Sequence, residues 1–308
     1  MGLSAPILNA PMGGVAVGML ASAVSAAGGL GMIGVGSTGS VELLEREVEY
    51  SREAGLPFGI GLLDWAVVRQ PALLDAAVAA GLRLISVSFG DDWAWSRRVR
   101  DAGIVTVTQV FHVAMARRAA DSATDLLVAR GTEGGGHGEA KVGTLPLLEG
   151  ILDAVSSPVL AAGGISSARG LAAVLAAGAS GAWMGTAFAT CNESMASGAA
   201  RDAMVRASET DTVTTRVFDI ALGCEWPSRF EERALRNDFF EDWSGREEAL
   251  ASDVGARAAL NAAITADNYR VAQVDAGQGV GLVSEVCSAA HVVMQMCAGT
   301  AQLLSSWA

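Results

Sequence analysis

The chain has 308 residues, 51% of them apolar and 6% aromatic, with 37 glycines. That length and composition allow one large α/β core with a smaller appendage, and suit helices packed closely over a buried parallel sheet. A formal net charge of −12, with no offsetting basic stripe, argues against nucleic acid as a partner, because an acidic surface repels phosphate backbones.

Cys191, Cys224, Cys287 and Cys297 form no Cys-x-x-Cys pair and have no metal-ligand spacing to histidine. They read as reduced thiols in a cytoplasmic protein. Residues 1–41 and 170–192 carry no charge, which raises the question of a membrane span. Both stretches are broken by Gly and Ser turns, and the first lacks the basic start of a signal peptide. They read as buried strands and helices, and no membrane association is expected.

Short apolar runs alternate with longer helical patterns along the first 200 residues. Strands are expected at 6–10, 30–35, 58–63, 82–89, 104–110, 125–130, 158–162 and 180–184. Helices are expected at 15–27, 40–54 with Ser40 as cap, 71–80, 91–102, 113–122, 145–155 and 167–177. This order fits a (β/α)8 TIM barrel over residues 1–200. A doubly wound sheet is the alternative, weakened by the absence of Gly-x-Gly-x-x-Gly between the first strand and helix. Charge rises sharply after about residue 191. Residues 201–276 read as a smaller, mostly helical additional domain, and 277–308 as an apolar helix returning to the barrel.

Barrel chemistry sits at the carboxyl ends of the strands, where four motifs fall. Ala161-Ala162-Gly163-Gly164-Ile165-Ser166 closes the seventh strand and opens a helix, so its backbone can approach an anion closely and aim amides at it. Met184-Gly185-Thr186 ends the eighth strand, and the two turns together make the phosphate site expected there. The loop Gly131-Thr132-Glu133-Gly134-Gly135-Gly136-His137-Gly138 surrounds a lone imidazole with glycines, leaving it room to meet a ligand and take a proton near neutral pH. Asn9-Ala10-Pro11-Met12-Gly13-Gly14 forces a tight turn that can lay amides and Met12 against a flat ring. Gln109 ends the fifth strand and is open between a ring-edge contact and a satisfied interior amide. Arg130 ends the sixth and is open between supplying positive charge to a ligand and a structural ion pair. Glu133 is open between orienting His137 and simple solvation. His112 could line the same mouth, whereas His291, on an apolar helix, reads as structural.

These residues resemble the nitronate monooxygenases, formerly called 2-nitropropane dioxygenases. The resemblance is carried by Pro11-Met12-Gly13-Gly14, Ala27-Gly28-Gly29-Leu30-Gly31, the Gly-Gly-His loop, 161–165, 184–186, Glu193-Ser194, 207–212 and 276–281. It covers nearly the whole chain. It implies FMN on a TIM barrel and oxidation of alkyl nitronates by molecular oxygen, with His137 as the base that deprotonates neutral nitroalkanes. The cofactor contacts it implies fall on Gly135, Gly164 and Trp183 to Thr186, with Met12 and Gln109 as neighbours; Gly13, Arg130 and Gly163 complete the expected set. The chain departs from the family pattern at Gly61, Arg130 and Trp183, all expected to face the flavin. An NAD(P)H-dependent FMN reductase of enoyl thioesters or quinones is the runner-up, because similar Gly-Gly-His loops occur in FMN enoyl-carrier-protein reductases. A flavin-free barrel binding a phosphorylated ligand is the third reading. The oligomeric state is open, a homodimer being one option.

Overall fold

The alternation of apolar runs and helical periods closes into a ring. The computed structural model describes residues 2–139 and 141–306. Along the first 184 residues lie strands β1 (Ile7–Asn9), β2 (Gly31–Gly34), β3 (Phe58–Leu63), β4 (Leu84–Ser88), β5 (Val105–Val110), β6 (Leu126–Arg130), β7 (Gly136–Gly138), β8 (Val159–Ala162) and β9 (Gly181–Met184). All but β7 form one parallel sheet in the order β1-β9-β8-β6-β5-β4-β3-β2, and a bridge between Leu8 and Leu30 brings β2 back beside β1. The chain is a (β/α)8 barrel.

Side chains alternate across each strand. The inward set starts large: Leu8, Met32, Leu84, Val107, Val128 and Leu160 pack together on the barrel axis. Two residues further along, the same faces carry Ala10, Gly34, Gln109, Arg130 and Ala162, and β4 ends in Ser88. The interior is therefore plugged at the amino-terminal end and opens toward the carboxyl ends. Trp183 is the exception, a large ring at 3% exposure that joins the plug.

Helices sheathe the ring, several started by side-chain caps. Ser40 accepts from the Leu43 amide ahead of Val41–Glu53, and Ser167 from the Gly170 amide ahead of Ala168–Ala176. A six-residue helix, Asp64–Arg69, follows β3 where the sequence reading has only a connection; it is too short to show a period. After β9 comes only a four-residue turn of helix, Thr186–Ala189. Helix Ala289–Ser305 packs against Ala168–Ala176 and against the first helix, Gly18–Ala26. A side chain at Gly299 would meet Ala168 Cβ at 2.6 Å, and Thr300 donates to the Ala168 carbonyl at 3.1 Å.

The added segment is mostly helical. Its helices, including Gly198–Arg206, Val217–Leu222 and Val254–Thr265, are joined by two strands, β10 (Thr212–Thr215) and β11 (Glu231–Leu235). These form an antiparallel sheet in the order β10-β11-β7. The glycine-rich loop thus contains a strand, paired with the added domain. The run Glu231-Glu232-Arg233 lies in the stretch where charge rises. As a strand it alternates, and Glu232 turns fully inward. Among the described residues no helix is long and apolar enough to cross a membrane.

Candidate functional site

The open end of the barrel is a cavity of about 810 Å³ between the strand ends and the added domain. A second cavity, about 500 Å³, lies at the opposite end around Leu3, Pro6, Asp125 and Pro158, away from the face where barrels place their chemistry. The expected base and cofactor-contact residues all line the larger cavity, whereas Glu133 and His112 do not. His137, Gly135, Arg130 and Gln109 stand on the β5–β7 side, Gly163, Gly164, Trp183, Met184, Gly185 and Thr186 on the β8–β9 side, and Met12 and Gly13 after β1.

On the β8–β9 side the wall is backbone. Gly163 and Gly164 adopt φ of +116° and +68°, a region open to glycine at little cost. Among the described residues, no protein acceptor takes the amides of Gly163, Gly164, Ile165, Ser166 or Gly185. Unpaired amides ahead of the nine-residue helix Ala168–Ala176 form a ready anion cradle. A third segment closes over it. Gly277 donates to Thr186 Oγ1 at 3.0 Å, and a Cβ on Gly279 would stand 2.6 Å from the Gly164 carbonyl oxygen. Backbone packs on backbone there with no room for a side chain.

The floor is lined by Gly61, Gln109 and Arg130. A Cβ on Gly61 would run into the Pro11 ring, so Pro11 occupies the space a larger residue would take. Gln109 has no side-chain partner among the described residues while its amide N–H donates to Ser88 Oγ at 3.0 Å, leaving its carboxamide free toward the cavity. Arg130 is held rather than free. Its Nη2 donates to the carbonyls of Gly135 at 2.8 Å and Gly136 at 3.0 Å, bracing the turn into β7 from below. Burial, and then Arg233 nearby, push its guanidinium down to about 10, against the pull of Asp275 and Glu133.

On the β7 side the wall is side chains, mostly from the added domain. His137 Nε2 lies 2.9 Å from Asp219 Oδ2 on helix Val217–Leu222. The Trp226 ring stacks on the imidazole at 3.7 Å between centroids and 6° between planes. Phe89 packs edge-on to Trp226 at 5.0 Å and to Phe230 at 5.3 Å. Phe89 itself sits at φ +70°, a strained conformation for a bulky residue that this aromatic packing holds. Behind the histidine, Glu232 is its cross-strand partner. Gln273 donates to Glu232 Oε2 at 2.5 Å and to Asp275 Oδ1 at 3.3 Å. Burial, then Asp275, push the Glu232 carboxyl well up. Glu232 is fully buried and favours holding a proton, whereas Asp275 is exposed toward the cavity.

The other residues have different places. Glu133 touches neither His137 nor a ring. It accepts from the Thr144 amide at 3.0 Å and from Thr144 Oγ1 at 2.9 Å, anchoring the start of helix Thr144–Leu152. His112 caps helix Val113–Asp121 through Nδ1, accepting from the Met115 amide at 3.1 Å. Asp219, Trp226, Glu232 and Asp275 escape the sequence reading. Asp219 alone leaves a trace, as the single charge in the apolar run from Val217 to Leu222.

A closed α/β barrel with an anion cradle and a buried imidazole at its open end defines an enzyme of small-molecule chemistry. The nitronate monooxygenase family model matches residues 1–299, and the chain belongs to that family, one of flavin-dependent oxidoreductases. A probable nitronate monooxygenase of Staphylococcus aureus (strain MRSA252) is 31% identical over 284 residues, covering 78% of this chain and 77% of the relative. Among solved structures, nitroalkane oxidase from Streptomyces ansochromogenes has a TM-score of 0.84 at 28% identity, covering 100% of this chain and 99% of that one. FabK from Thermotoga maritima has a TM-score of 0.85 at 27% identity, covering 99% and 95%.

Proposed function

We propose that the protein is an FMN-dependent oxidase of alkyl nitronates that uses molecular oxygen, and that it takes neutral nitroalkanes after His137 removes a proton. The observation that carries this reading is the pairing, in one cavity, of unpaired amides at Gly163–Ser166 and Gly185 with a buried imidazole on the facing wall. The residues fit FMN. The amides and the helix that follows would hold its phosphate, and close backbone packing at Gly164 and Gly279 leaves space only for a ligand that needs no side chains. Gln109 would meet the ring edge, and Met12 would lie against its face. FMN, when bound, supplies the electron acceptor.

The rest falls to the chain. Phe89 and Trp226, with Phe230 packed behind Phe89, wall the reacting end with apolar surface, which excludes water and favours an alkyl substrate. His137 takes the proton from the carbon bearing the nitro group, and the electron pair stays on the substrate as the nitronate. Arg130, with Nη2 committed to two carbonyls, serves mainly to fix the turn that carries His137. A carbonyl compound and nitrite are the expected products.

Purified protein should be yellow and take up oxygen with propionate 3-nitronate, releasing nitrite. A colourless protein that binds no added FMN would favour the flavin-free reading and end the proposal. The likeness to FabK favours a second reading, reduction of an enoyl thioester or quinone by NAD(P)H. Anaerobic mixing with NADPH separates the two: rapid bleaching supports the reductase, and no bleaching with nitronate-dependent oxygen uptake supports the oxidase.

A further inference from the structure

His137 and Asp219 are 82 positions apart in sequence, yet they meet at 2.9 Å with their side chains 10% and 5% exposed. A carboxylate oxygen only accepts, so the imidazole nitrogen in this contact carries the hydrogen. That fixes the neutral ring as the Nε2–H tautomer and leaves Nδ1 as its one basic nitrogen. Among the described residues Nδ1 has no protein partner, and the ring lines the cavity. Trp226, stacked at 6°, fixes the plane of the ring, and β7 fixes its height by pairing with β11.

We propose that Asp219 is the positioning residue for His137, holding it as the Nε2–H tautomer so that Nδ1 receives the substrate proton. This rests on the base role given to His137 above. In the step, the substrate C–H bond breaks, its electron pair remains on the substrate, and the proton bonds to Nδ1. The resulting imidazolium lies against the Asp219 carboxylate, and the proton leaves Nδ1 for solvent before the next turnover. The ionisable groups around the pair are Glu232 on β11, Asp275 after it, Arg130 on β6 and Cys224, which follows the Asp219 helix. Of all these groups Asp219 is the one whose carboxylate oxygen touches the imidazole, at 2.9 Å, so it is the charge that answers the imidazolium.

The first test needs no substrate. In the flavin-loaded protein labelled with ¹⁵N-histidine, NMR should show neutral His137 protonated on Nε2, and Asp219→Asn should shift this toward a mixture of tautomers. The Nδ1–H form in the wild type overturns the proposal, whatever the protein's substrate is. The second test is kinetic. Asp219→Asn should lower kcat/KM for nitroethane by about 100-fold or more, within the range of general base catalysis. It should change activity on preformed ethyl nitronate by less than about threefold and move the acidic limb of the nitroethane profile to lower pH, since the imidazolium loses its counter-charge. Asp219→Glu, which keeps the carboxylate, should recover at least about tenfold over Asn. Equal loss on both substrates, or an unmoved pH limb, overturns the proposal. His137, Asp219 and Glu232 also present ligand atoms within 4.8 Å of one another. Activity lost on EDTA treatment and restored by zinc or manganese overturns it in favour of a metal.

Discussion

The two walls of the cavity are built in opposite ways. The β8–β9 wall is backbone, made of glycine turns within 23 residues of one another, from Gly163 to Gly185. The β7 wall is side chains, drawn from His137 and from an added domain that begins some 60 residues later in the chain. One recognises an anion by geometry that any chain with those turns would offer. The other would set up the proposed proton transfer by tautomer, stacking and charge, and each of these depends on a particular residue. On the proposed function, the barrel would supply binding and the added domain would supply control of the chemistry.

Substitutions on each wall should therefore fail differently. Gly164→Val attacks the first, because φ of +68° strains any side chain and its Cβ would press Glu133 Cβ at 3.1 Å. Bound FMN, measured by absorbance after desalting, should fall below about a tenth of the wild-type content. Retained flavin would show that the phosphate lies elsewhere. His137→Ala attacks the second. Flavin content should hold, activity on neutral nitroalkanes should drop by about 100- to 10,000-fold, and nitronate activity should largely remain. Equal loss on both substrates would erase the division between the walls. Trp226→Leu removes the stack and keeps the Asp219 contact, so kcat/KM for nitroalkanes should fall by about tenfold. The smallest effect concerns stability. Burial raises the folded-state Glu232 carboxyl above its unfolded value, so the folded state holds that proton more tightly and loses stability as pH climbs through the raised range. Glu232→Gln mimics the protonated form and should raise Tm by about 2 °C at pH 8, with no gain at pH 4.

The sequence was legible to unequal depth on the two walls, and the physics explains why. Strand alternation and glycine turns are local signals, so the barrel and the turns at 163–166 and 184–186 can be read within a few residues. Asp219, Trp226 and Glu232 acquire meaning only through strand pairing across about 80 to 95 positions. Without that pairing, Glu232 reads as one of three consecutive surface charges and Trp226 as an aromatic in a loop. Glu133 misled for the converse reason. It adjoins the histidine loop in sequence, but its carboxylate turns away to anchor Thr144.

The small sheet β10-β11-β7 also gives the site a place in time. β7 emerges from synthesis well before β11, its only strand partner among the described residues. Pairings between distant segments form late, because the intervening chain must be ordered first. A partly unfolded chain could therefore hold the eight-stranded barrel and its strand-end glycine turns while its histidine still lacked stack and counter-charge. Cofactor capture would come before competence, and the unprotected proton chemistry would switch on only with the last docking step.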